Sequence, residues 1–441
     1  MGIATIAVKL KSIFGFLATD STGSVQANVV HRTGLLADLD DLVAPEGEIA
    51  FATDKKALVL VSSSGAGVIH SSGPGGIPAA DIETGVVGYF AAGTHSYTYP
   101  AAGNATYANL QALITYLEQC DFSRNASLTV SLAGVYSELP GTHVQISADK
   151  DLSMVTLSGG NVSGSITNIS SVVGAAAPYA ITFASTLAPV VGTAVIFYAY
   201  VTSNELALAG AHIVTASSGS EFTIEFNGDT PPTAGVQTIT CKKLGTKIPA
   251  LSCLQQGSNV SFPRLSNIAT GKIYSVTKAI LSGDGDAAVI GLYGDYSVDF
   301  TAMGSTATFN NLHTSAGIEL LGSSLFAQNV TAAGGGGGFT YLSAGGRLIV
   351  NSVLILTGNK GMGVAAAGAT DDSAIIGGLV RLAHADIGVA LARGSKCILG
   401  EAYKLANVTT LATLDDMTTA IALDTQSAAT GMSFITGTAA V

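Results

Sequence analysis

Residues 104–136 read NATYANLQALITYLEQCDFSRNASLTVSLAGVY. Tyr107, Leu110, Leu113, Ile114 and Leu117 recur at helical spacing, so one face of this stretch is apolar. Asn104 or Thr106 is placed to cap the start, and Cys120-Asp121 ends the pattern. Leu128, Val130 and Leu132 then alternate with Thr129 and Ser131, which predicts a half-buried strand. A lone amphipathic helix followed at once by short strands is suited to covering the open end of a strand stack, whose backbone groups are otherwise unpaired. The competing reading is an ordinary helix–strand pair of an α/β domain. Against it, the rest of the chain offers almost no second helix of this quality.

Composition points the same way. Only 11% of the 441 residues are charged, against about 25% in an ordinary domain. There are 53 Gly and no Trp. Disorder needs high charge and few apolar residues, and no apolar run approaches the ~20 residues of a membrane helix. Many short strands joined by glycine-rich turns fit instead. The net charge of -11 argues against nucleic acid, whose recognition needs a basic patch. Cys120, Cys241, Cys253 and Cys397 are scattered without metal or redox spacing. They read as buried free thiols, with a Cys241–Cys253 disulfide as the alternative, and reduced cysteines suit folding in a cytosol. Lys9 and Lys11 interrupt the apolar N-terminal stretch, so it reads as structural, not as a secretion signal.

Downstream of the opening stretch, short apolar strands repeat. Gly317–Gly322 (GIELLG) is echoed from Gly338, Gly363 and Gly388, and a last time at Ala420-Ile421-Ala422-Leu423. The first intervals are roughly 21, 25 and 25 residues, a solenoid period. A second apolar strand follows each echo, at Leu325-Phe326, Leu348-Ile349-Val350, Ala374-Ile375-Ile376 and Cys397-Ile398-Leu399. Between Pro178 and Ile248 the texture changes to longer alternating strands, read as a small β-barrel or sandwich inserted between coils, or else as longer coils. Near the N-terminus, Ile49 and Phe51 alternate against Leu58 and Leu60 about a Thr-Asp-Lys-Lys turn, which predicts a hairpin. Ser71-Ser72-Gly73-Pro74-Gly75-Gly76 is linker sequence.

Two of these stretches resemble phage tail proteins. Leu110-Gln111-Ala112-Leu113-Ile114 followed by Gly134-Val135-Tyr136 resembles the opening of the pectate-lyase-like right-handed β-helix of phage tailspikes and tail fibres. Residues 47–60, GEIAFATDKKALVL, resemble a small hairpin module of the same proteins. That module continues into a Gly-Asp-Gly turn, where this chain has Ser62-Ser63-Ser64-Gly65. The resemblance implies an all-β chain. It implies that residues 1–70 form a virion-attachment domain, 71–103 a linker, 104–172 the capping helix and first coils, 173–250 the inserted β domain, and 251–441 further coils of a right-handed parallel β-helix. It implies a homotrimer that attaches to a tail or baseplate adaptor protein and binds a host cell-surface polysaccharide or receptor. The place of action is the virion tail after synthesis in the host cytoplasm, without nucleic acid or membrane insertion.

The best carboxylate cluster is Ser282-Gly283-Asp284-Gly285-Asp286, with Asp295 and Asp299 beyond. On a regular strand Asp284 and Asp286 would share a side about 7 Å apart, within the ~6.5–9.5 Å of inverting glycosidases. Polysaccharide hydrolysis with Asp284, Asp286 and Asp295 as candidates is therefore the alternative to pure binding. The competing reading is that Gly-Asp-Gly-Asp is ordinary turn sequence, and no catalytic residue is assigned. An EF-hand fails because Ala288 and Val289 stand where a ligand and the Gly belong. The seven His are isolated, with His212 and His384 reading as turn or core residues, so no metal site and no cofactor is expected. The run at 334–338 lacks the Lys-Ser/Thr of a phosphate loop. Arg347, Arg381 and Arg393 are too scattered for lyase chemistry.

Overall fold

The computed structural model describes residues 32–34, 48–52, 57–62, 65–71, 89–90, 92–137, 143–197, 206–228, 230–292, 294–333, 340–358, 365–399, 404–414 and 420–423. The N-terminal apolar stretch, the hairpin turn at 53–56, the linker at 72–76 and the glycine run at 334–338 lie outside them. The chain divides into two compact units. The smaller holds a four-stranded sheet of Arg32–Gly34, Glu48–Ala52, Ala57–Ser62 and Gly65–Ser71. Its central pair is the expected hairpin, with Ile49 opposite Leu60 and Phe51 opposite Leu58. The same unit pairs Tyr89–Phe90 with Asp121–Phe122, and the Phe90 and Phe122 rings stack at 4.7 Å.

The larger unit is a parallel β-helix. Each coil contributes one short strand to each of three faces, and each strand pairs in parallel with its counterpart in the next coil. On the first face Leu325 lies against Leu348, then Ile375, Cys397 and Ile421. On the second, Leu312 lies against Val330, Leu354 and Val380. On the third, Leu320 lies against Leu342, then Ala369 and Leu391. From Leu312 to Cys397 the side chains named on these three faces point inward and are buried. One coil cannot enclose its own apolar side, but stacking at about 4.8 Å removes each rung from water. Each buried Leu, Ile or Val contributes roughly 1.5–3 kcal/mol.

The strands starting at Gly317, Thr340, Ala365 and Ile387 occupy the third face, as the echoes require. The fifth echo does not. Ala420–Leu423 pairs with Lys396–Leu399 on the first face, and the third-face partner of 389–391 is 412–414. Similar apolar composition on two faces makes a rung of one look like a repeat of the other.

The helix Leu110–Gln119 begins one turn later than expected. Its N-cap is Asn109, which accepts from the Ala112 N–H at 2.9 Å. Asn104 instead accepts from the Tyr107 N–H at 2.7 Å and turns the chain ahead of the helix. Leu110, Leu113, Ile114, Tyr116 and Leu117 are buried. The outer side chains complete the edge of the first coil. The Gln111 amide donates to the Gln145 carbonyl at 2.9 Å and accepts from its N–H at 2.6 Å. Glu118 accepts from the Ser147 N–H at 2.6 Å. An edge strand that would expose its backbone is thereby satisfied.

The inserted element is a closed barrel of six antiparallel-paired strands, Asn161–Val173, Tyr179–Ala184, Ala194–Phe197, Gly210–Ser217, Glu221–Phe226 and Gly235–Leu244. The sequence pattern places the first of these among the coils, and the structure places it in the barrel. Alternation reports one buried face and is blind to whether the partner runs parallel or antiparallel. The barrel leaves the helix after Val155–Ser158 on the first face and returns at Thr246–Ile248 on the second. Its core is tight and aromatic, with Phe183 5.2 Å from both Phe197 and Phe222. All four cysteines are buried thiols, and burial pushes Cys241 and Cys397 up to about 12.

His212 lies in that core between the Phe197 and Phe226 rings, bonded to the Leu208 carbonyl at 3.0 Å. Burial lowers its pKa from 6.5 to about 4. Between those values the unfolded chain binds a proton that the folded barrel refuses. The stability present above pH 6.5 is therefore lost as pH falls toward 4, by about 3 kcal/mol. Urea unfolding at pH 7 and pH 4 checks this, with the His212→Phe variant expected to lose that portion of the pH dependence.

Candidate functional site

The Gly-Asp-Gly-Asp stretch lies inside the strand Ala279–Ile290, at the corner between the first and second faces. Gly283 is part of the inward ladder. A Cβ there would sit 2.4 Å from the Phe309 ring, so the missing side chain makes room for it. Gly285 has φ +73°, a left-handed turn that breaks the alternation and shifts the register. The expectation that Asp284 and Asp286 share a side is therefore corrected. The Asp284 side chain is 59% exposed, 3.6 Å from Arg264, and the Asp286 side chain is 2% exposed.

Asp286 ties the barrel to the coils. Its carboxylate accepts from Lys242 Nζ at 2.7 Å and Asn161 Nδ2 at 3.2 Å, both on barrel strands. From the coils it accepts from Asn311 Nδ2 at 3.0 Å, and Asn329 Nδ2 in turn donates to Asn311 Oδ1 at 2.8 Å. Asp286, Asn311 and Asn329 are consecutive rungs of one ladder. His313 is buried 3.6 Å away, and burial lowers its pKa despite the opposing pull of Asp286. Ala194, Ile196, Ala211 and Leu244 of the barrel seat on Ala269 and Ala288 of the second face. Small residues on both sides allow this close approach.

Where the barrel leans over the coils, a groove of about 700 Å³ opens. Gly192, Ile213 and Glu225 line it from the barrel. Tyr136, His143, Lys247, Ser252, Lys272, Tyr274 and Asp295 line it from the coils. Its volume lies within the range of small-ligand sites. Of the three candidate carboxylates, the structure brings only Asp295 here.

Lys272 organises the floor. Its Nζ lies 2.8 Å from Asp295 Oδ1, 2.8 Å from Asp299 Oδ2 and 5.2 Å from the centre of the Tyr274 ring. Burial alone would lower its pKa, but the two carboxylates outweigh this and raise it, so it stays an ammonium. Ser252, Tyr274, Asp299, Glu319 and Tyr341 follow one another rung by rung on the third face. Asp299 Oδ1 is buried without a nitrogen or hydroxyl donor. The Glu319 carboxyl lies within hydrogen-bonding reach of Asp299. Burial first, then the Asp299 charge, raises the pKa of Glu319 above the usual carboxylate range.

Lys272, Tyr274 and Glu319 went unnoticed in the sequence because nothing local marks them. Tyr274 and Glu319 lie 25 and 20 residues from Asp299, their shared rung partner, and Lys272 meets it through an ion pair, so only the register unites them. Among the described residues no cluster of His, Cys, Asp and Glu is arranged to hold a metal, and no helix is long and apolar enough to cross a membrane.

No protein family and no curated protein matches the sequence. Among solved structures, the chain is similar to the tailspike protein gp49 from Pseudomonas phage LKA1. The identity is 13%, the match covers 81% of this chain and 75% of that one, and the TM-score is 0.28.

Proposed function

We propose that this chain is a structural protein of the phage virion, a tailspike or tail fibre, whose barrel–coil groove binds polysaccharide or another receptor on the host surface. The observation that carries this reading is the groove itself. Tyr274 offers a ring face, while Lys272, Asp295 and Glu225 offer donors and acceptors. Glycans need both, because their rings have apolar faces and hydroxyl edges. The sequence resemblances at 47–60 and 110–136 support the phage setting, with the N-terminal hairpin as the attachment point to an adaptor or baseplate protein and with copies associating as a homotrimer.

Binding is preferred to hydrolysis on geometry. Asp299 and Glu319 are in hydrogen-bond contact, closer than the roughly 5–5.5 Å or 6.5–9.5 Å of glycosidase pairs. Asp295 and Asp299 are both engaged by Lys272. One observation favours the second reading, polysaccharide depolymerisation: Glu319 sits beside Asp299 with its pKa raised, which is the direction a general acid requires. Fluorescently labelled full chain, titrated against a panel of purified bacterial surface polysaccharides, is expected to show saturable binding without release of reducing ends. Reducing ends appearing with the wild-type chain would establish the depolymerase instead, and absence of binding across panel and intact cells would remove both.

A further inference from the structure

We infer that the first face of the β-helix, along the column Phe326–Ile349–Ile376–Ile398, is the surface on which a second copy of this chain packs. The inference rests on the multi-copy reading above and names the face. These four residues are consecutive register partners, each on the outward side of its strand, and Ala422 follows them. Phe326 is 39% and Ile398 42% exposed, although their strand neighbours Leu325, Ala327 and Cys397 are buried. Earlier in the same column stand Ser282 and Thr308, so the apolar character is confined to the later coils.

Two observations select the occupant. The first is period. One apolar side chain projects per rung at about 4.8 Å. The hollows between rungs are filled throughout only by a surface with the same repeat, and stacked strands of another copy supply it.

The second is charge. The neighbouring outward column runs Ser324, Arg347, Ala374, Lys396, and on the other side stand Asn310, Gln328 and Asn351. On a chain of net charge -11, the strand segments of this face carry no carboxylate from Thr306 to Leu399 among the described residues. Asp371 and Asp372 stand in the turn before Ala374, with Asp371 3.2 Å from Arg393. Two such faces meeting each other would oppose Arg347 and Lys396 to their own counterparts. The favoured contact is therefore with a different, acidic face of the next copy. A contact between unlike faces closes into a ring when the rotation permits. A stable interface removes about 800 Å² per copy, more than one column presents, so the flanking columns are enclosed with it.

Sedimentation equilibrium of the full chain tests this. The wild type is expected at a multiple of 44.2 kDa, and Ile349→Lys/Ile376→Lys at the single-chain mass with an unchanged far-ultraviolet spectrum. Phe326→Thr/Ile376→Thr, which keeps strand propensity, is the second variant should the first misfold, and is expected to weaken assembly at least tenfold. Val236→Lys, at the most exposed apolar residue of the barrel, is expected to leave the mass unchanged. Assembly intact in a folded column variant overturns this surface and leaves the multi-copy reading standing. A wild type of single-chain mass overturns both.

Discussion

Asp286→Ala is expected to lower the free energy of unfolding by about 3–5 kcal/mol, the cost of breaking a buried ion pair from one side. The substitution removes the acceptor shared by Lys242, Asn161 and Asn311. Asn311 keeps Asn329 as a partner on its other side, but Lys242 is left at the seam with only 28% of its side chain exposed for rehydration. Urea denaturation followed by circular dichroism gives the number. The double variant Lys242→Met/Asp286→Leu is expected to recover more than half of the loss, because both charges of the pair are then removed together. Equal losses in the single and double variants would show that packing at the corner, and not the ion pair, holds it.

Gly210→Val is the second large effect. Gly210 has φ +118°, a region that residues with a Cβ avoid, and any Cβ there would lie 2.5 Å from the Thr314 carbonyl oxygen of the second face. Backbone strain and overpacking each contribute about 1–3 kcal/mol. The strain falls where the barrel strand Gly210–Ser217 meets the coils, so the outcome is local. Hydrogen exchange is expected to accelerate in the barrel strands by tenfold or more while the inward ladder from Leu325 to Cys397 keeps its protection. Uniform acceleration throughout the chain would mean that barrel and coils unfold as one cooperative body.

The parts of this architecture that were legible in the sequence are those written in local patterns. The 3.6-residue period of Leu110 to Leu117 and the alternation from Leu128 announce the helix and the first rung, and the interval between Gly317 and Gly388 announces the coils. What escaped depends on register. Asp284 and Asp286 look equivalent until the left-handed Gly285 between them sends one to solvent and the other to the barrel seam. Asp299 and Glu319 are distant in the chain and adjacent on the third face, and Lys272 reaches Asp299 at 2.8 Å. Asn161–Val173 alternates like a coil strand, yet its partners run antiparallel. In a solenoid the chemistry is assembled across rungs, and a single sequence shows each rung only once.

Binding of the full chain to a recognised surface polysaccharide, compared between Tyr274→Ala and Asp284→Asn, tests most directly the claim that the groove is the working surface. Loss of the Tyr274 ring is expected to weaken binding about tenfold or more, near 1.4 kcal/mol, with Asp284→Asn indistinguishable from wild type. Undiminished binding by a folded Tyr274→Ala variant, or loss on Asp284→Asn alone, would contradict it.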